Sequence, residues 1–179
     1  MIYRFIMLLF VCSSLCVSVS GQKKHPNKIN QLNINGKKDG LWIDSTKYWI
    51  YEKYYKNGVL SGVYKERNIK GQLSTFGEYK EGKRSGKWFF FENSGHLVMI
   101  FQDFSKNTYS VINEGDGKRC VPDYKCYTIS YHPNGNIESE GLLLWSEDDA
   151  PESDMSIEYG EWKYYDSEGK LIRTKVFKY

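Results

Sequence analysis

Chemistry needs particular side chains at particular spacings, and this chain offers three groups to consider. Its histidines, His25, His96 and His132, are scattered. His25 lies in a polar stretch, His96 in a turn between strand-like runs, and His132 beside Pro133, so few partners flank any of them. Each reads as a solvent-facing residue rather than a general base, which needs a neighbour to orient it and a nucleophile within reach. The second group is acidic: Glu147, Asp148, Asp149, Glu152, Asp154 and Glu158 lie within Trp145–Glu158. Such oxygens could ligate calcium, yet the Gly and terminal Glu of an EF-hand loop are absent, and a solvated acidic loop is the expected state. The third group is Cys120 and Cys126, with no nearby His to complete a zinc site. No G-x-S-x-G, H-E-x-x-H or G-x-x-x-x-G-K-[ST] phrase occurs. The expectation is a protein without catalytic residues, metal or cofactor.

The surplus is aromatic. Phe, Trp and Tyr make up 16% of the chain, which holds 15 Tyr but only 4 Pro, a mix that favours strands over helices. The elements that must position these rings are written as a repeat. Gly36-Lys37-Lys38-Asp39-Gly40-Leu41-Trp42 returns as Gly82-Lys83-Arg84-Ser85-Gly86-Lys87-Trp88, 46 residues on. The run from Gly86 to Leu97 returns as Gly160 to Leu171 at an offset of 74. Gly135-Asn136-Ile137 and Gly141 match Gly71-Gln72-Leu73 and Gly77 at an offset of 64, so ten residues are inserted before the last Trp phrase. A fixed internal phrase of this kind marks a repeat architecture.

Comparison of the copies assigns the faces. Trp88 and Phe90 match Trp162 and Tyr164, whereas Phe89 matches Lys163. Strand alternation therefore buries Trp88, Phe90, Trp162 and Tyr164 together with Trp42, and puts Phe89 on a face that tolerates charge. Asn57-Gly58 predicts a two-residue hairpin turn with positive φ at both positions. Glu92-Asn93-Ser94-Gly95 and Asp166-Ser167-Glu168-Gly169 predict longer turns closed by a left-handed Gly.

Residues 1–21 read as a secretory leader: one positive charge at Arg4, an apolar run from Phe5 to Val11, then small residues at Ser18 and Ser20. Gln22–Asn33 is a polar linker, and residues 34–179 form one repeat domain with irregular insertions at 101–127 and 145–158. In an exported chain the Cys120–Cys126 pair is expected to form a disulfide, free thiols being the alternative. The net charge of +3 is too small to argue for nucleic-acid binding.

The phrase G-x-L-x-x-x-G-x-Y-x-x-G-x-x-x-G-x-W, followed by aromatics and a second G-x-L, resembles the MORN-repeat variant family. The match is close over Gly71–Leu97 and good over Gly160–Leu171. It is partial over Asn35–Trp42 and Asn134–Gly141. Modules of this family occur in exported bacterial proteins and in proteins given an antitoxin-type label. The resemblance implies an all-β, open and twisted meander of antiparallel hairpins that serves as an interaction scaffold.

A single-layer hairpin array cannot bury both faces of its sheet. Phe89, Phe91 and Tyr165, with Lys87 and Lys163 beside them, are the candidate binding face, because exposed aromatics near basic groups anchor interfaces. The expected role is protein–protein interaction at the cell envelope, in the periplasm, the outer envelope or the medium. Binding of envelope glycan, lipid head groups or a membrane surface is the alternative.

Overall fold

The computed structural model describes residues 29–112, 117–146 and 156–178. Eleven strands form one sheet in the order β1 (Gln31–Leu32), β2 (Lys38–Ser45), β3 (Trp49–Lys56), β4 (Val59–Asn68), β5 (Leu73–Lys80), β6 (Lys83–Phe91), β7 (Leu97–Lys106), β10 (Tyr124–Tyr131), β11 (Ile137–Trp145), β12 (Ile157–Tyr165) and β13 (Leu171–Phe177). Two short strands between β7 and β10, β8 (Val111–Ile112) and β9 (Arg119–Cys120), pair as a separate ribbon. Every sheet pairing is antiparallel, and apart from the bridge across the β8–β9 excursion each strand pairs with its sequence neighbour. The architecture is therefore all-β, an open meander of hairpins not closed into a barrel.

Two kinds of turn set the register. Asn57-Gly58 has φ of 52° and 86°, the left-handed pair that a two-residue hairpin requires. Glu81-Gly82 does the same with φ of 52° and 80°. On the opposite edge of the sheet the turns are longer. In those at 68–72, 92–96, 132–136 and 166–170 the first residue takes a backbone bond to the fifth, and a left-handed Gly stands fourth. Asn68 and Asp166 also accept two backbone N–H groups each through their side-chain oxygens, which stiffens the turn. The turns then tie to one another, Gln72 donating to the Asn93 carbonyl at 2.6 Å and Asn136 to that of Ser167 at 2.7 Å.

The largest buried cluster lies on one face, while Ile100 and Leu144, also buried, stand on the other. Trp88, Phe101, Cys126, Leu143, Trp145 and Trp162 form a buried cluster, with Tyr64, Tyr79, Phe90, Met99 and Tyr164 packed against it. Cross-strand pairing lines these up: Tyr64 opposes Gly77, Trp88 opposes Phe101, Phe101 opposes Thr128, and Thr128 opposes Gly141. Trp42 sits further out and is only half-buried.

Three expectations need correction. The interruption expected over 101–127 is narrower, because β7 continues through Lys106 and β10 begins at Tyr124. Phe101 is fully buried and belongs to the array, although its sequence has no repeat phrase. Likewise Trp145, placed in the second insertion, ends β11 and is buried. Finally, no disulfide joins Cys120 to Cys126. Cys120 is exposed on the β8–β9 ribbon, whereas Cys126 faces inward opposite Leu143 in the main sheet, so the two side chains serve different elements. The acidic residues Glu147, Asp148, Asp149, Glu152 and Asp154, the leader and most of the polar linker lie outside the described residues.

Candidate functional site

One local device builds both faces. Between the pairs Phe76–Phe89 and Glu78–Ser85, residues Gly86, Lys87 and Trp88 oppose Gly77 alone. The extra length is taken up by Gly86, whose φ of +67° is left-handed. The bulge lays the Trp88 indole flat on the opposite strand, so close that a Cβ at Gly77 would stand 2.3 Å from the ring. The indole N–H donates to the Glu78 carbonyl at 3.1 Å. The same arrangement recurs where Gly160, Glu161 and Trp162 oppose Gly141: a Cβ there would meet Trp162 at 2.3 Å, and the indole donates to Leu142 at 3.1 Å. A third copy survives in part at the start of the sheet, Trp42 donating to the Gln31 carbonyl at 3.2 Å.

Basic residues roof this face. The Arg84 guanidinium lies 4.2 Å from the Trp88 ring centre, and Lys38, its counterpart in the earlier phrase, lies 4.3 Å from Trp42. With Tyr64 stacked at 5.3 Å and Tyr79 edge-on at 4.9 Å, Trp88 keeps only 1% of its surface exposed. Burial, with the Glu66 carboxylate beside it, raises the Tyr64 hydroxyl above the ordinary tyrosine range. The Trp face is thus filled and closed.

The opposite face is where the candidate residues lie. Pairing runs Glu52, Lys65, Phe76, Phe89, Ile100, Ile129, Glu140 and Lys163 in one row across eight strands. Phe89 rests against Phe76 with ring centres 6.2 Å apart, and both are half-buried. Phe91 follows on the same side of β6. Beyond Phe76, Tyr54, Gly62, Val63 and Lys65 line an open depression of about 540 Å³. The row has a charged end at β3–β4, where Glu52 meets Lys65 at 3.4 Å and Arg67 at 3.5 Å. At its other end the Tyr165 hydroxyl donates to Glu140 at 2.7 Å. Burial first, and then the Glu140 carboxylate, push the Tyr127 hydroxyl up to about 12.

Sequence alternation put Phe89, Phe91, Tyr165 and Lys163 on one side, and the register does the same. It does not gather them into one cluster, since Phe89 and Lys163 stand four strands apart, roughly 19 Å at about 4.8 Å per strand. Lys87 falls inside the bulge and is exposed. Sequence reasoning missed Phe76, Tyr54, Tyr127 and Glu140. Phe76 was legible, because it precedes Gly77 within the repeat phrase; the others depend on which strands become neighbours. His96 is not the solvent-facing residue expected, for its Nε2 is enclosed without a hydrogen-bond partner. His132 Nε2 lies 2.9 Å from the Tyr165 carbonyl and braces a turn.

The model of the MORN repeat variant family matches residues 128–143 and 158–179, the hairpin that carries Gly141 and the strands that carry Trp162. Those two segments are similar to MORN-variant repeats. The matched segments hold the second Trp-over-Gly pair, and the Trp88 pair reproduces its geometry in the first half of the sheet. A comparison with curated proteins gives no match.

Proposed function

We propose that this MORN-variant repeat protein is a non-enzymatic interaction module that works outside the cytoplasm and binds another protein through the face opposite the Trp cluster. The observation that carries the reading is the half-buried strip of Phe76, Phe89 and Phe91 on a sheet whose other face is already filled. An apolar centre flanked by a charged rim is the anatomy of a recognition surface: the rings supply affinity, and Lys65, Arg67 and Lys163 orient the partner. Export rests on the leader-like pattern of Met1–Ser20.

The test is capture from cell-envelope extract by the wild-type protein and by Phe89→Ser/Phe91→Ser. The reading expects a protein in the wild-type eluate that the double variant loses while staying folded. If purified envelope polysaccharide is retained instead, with no protein in the eluate, the rings are stacking on sugars and the protein–protein reading is wrong.

A further inference from the structure

We propose that β13 accepts an extended acidic segment of a partner protein as an additional antiparallel or parallel strand of the sheet. Among the described residues β13 pairs on one side only, with β12, and forms the edge of the eleven-stranded sheet. It runs seven residues, roughly 23 Å at about 3.3 Å per residue, and its outer row of N–H and C=O groups is a template for pairing. The opposite edge, β1, is two residues long and offers little. Along β13 the apolar side chains are open: Leu171 is 48% exposed, Ile172 62% and Val176 52%.

Charge decides what fits there. Arg173 and Lys175 stand on the Trp side of β13, drawn over the rings of Tyr164 at 4.1 Å and Phe177 at 3.9 Å. A second copy paired antiparallel about Thr174 would set Arg173 against Lys175 twice, and like charges directly opposed destabilise a pair. The chain's own Gln22–Lys28 carries Lys23, Lys24 and Lys28 and meets the same repulsion. A strand with acidic residues at alternate positions satisfies Arg173 and Lys175 on one face. Its apolar residues then cover Ile172 and Val176 on the other. Main-chain bonds give such strand addition its affinity, and the alternating side chains give its specificity. This edge is five strands from Phe89, about 24 Å at about 4.8 Å per strand, so the proposal stands apart from the aromatic face.

The probe is a fluorescent seven-residue peptide of alternating Glu and Val, titrated against the full chain by anisotropy. Its controls are a Lys/Val peptide and a Glu/Val peptide N-methylated at alternate amides. The Glu/Val peptide should bind, weaken as salt rises, and lose at least tenfold in affinity on N-methylation. Arg173→Glu/Lys175→Glu should reverse the preference from the Glu/Val to the Lys/Val peptide. Equal binding of the N-methylated peptide would show charge attraction without strand pairing and overturn the proposal, and this control needs no variant to fold. Equal binding of the Lys/Val peptide would also overturn it. So would a dimer in sedimentation that Ile172→Lys dissolves, since a second copy would then hold the edge.

Discussion

Gly77 and Gly141 are the smallest residues in the fold and among the most constrained. Neither has a left-handed φ; each is Gly because an indole occupies the space of its side chain. Gly86 and Gly160 are constrained differently, by φ of +67° and +70° with nothing near a would-be Cβ. Gly77→Ala is therefore expected to cost about 1–3 kcal/mol or more through overpacking, and Gly86→Ala about 1–2 kcal/mol through backbone strain. Denaturant midpoints measure both, and the near-ultraviolet signal of Trp88 should change for Gly77→Ala alone. The repeat phrases made these glycines visible, but not which were steric and which conformational, because that difference arises only when strands become neighbours. The cysteines were misjudged for the same reason: five intervening residues look like a short loop until β10 carries Cys126 into the sheet. Residue chemistry also gives a pH dependence. The Tyr127 hydroxyl, raised to about 12 by burial and by Glu140, stays protonated in the fold where the unfolded chain, near about 10, has ionised. Its contribution to stability is thus full below about pH 10 and is lost as pH rises through about 12. Phenolate absorbance should show Tyr127 titrating late, as Tyr64 does, and Glu140→Gln should bring Tyr127 part of the way back toward the ordinary range.

At the scale of elements, the bulged hairpin with an indole lying on the facing strand is the repeating unit, and its copies differ in completeness. The Trp88 and Trp162 copies have Gly beneath the ring, whereas the Trp42 copy faces the two-residue strand β1 and is half-buried. Truncation should follow that order. Trp162→Ala should cost about 3–5 kcal/mol, as large-to-small changes in a core do, and Trp42→Ala clearly less. Equal losses in urea unfolding would mean the first unit is as well packed as the last. Turn chemistry made most of this legible, Asn57-Gly58 being a strong hairpin signal. Glu81-Gly82 was not read as its equivalent, since Glu is an unusual occupant of the left-handed region. The extent of the interruptions was also overread. Phe101 and Trp145 lack repeat phrases, and the pairings of β6 with β7, β7 with β10 and β10 with β11 bring them into the core.

The whole molecule is a sheet with two unlike faces. Alternation along β6 predicted the division, and the pairing across eight strands extends it: Trp88 and its neighbours are core, while Phe89 lies in a row that ends in charge on both sides. The sequence could not place Tyr54, Tyr127 or Glu140 on that strip, because nothing local ties them to Phe89. The division between a structural and a recognition face is the central claim, and adjacent residues of one strand test it most directly. Unfolding free energies of Trp88→Ala and Phe89→Ser, measured in the same urea series, should differ widely. Trp88→Ala is expected to lose about 3–5 kcal/mol and Phe89→Ser about 1–2 kcal/mol, a half-buried ring having less to lose. If Phe89→Ser costs as much as Trp88→Ala, the strip is core, and the face assigned to recognition is holding the fold together instead.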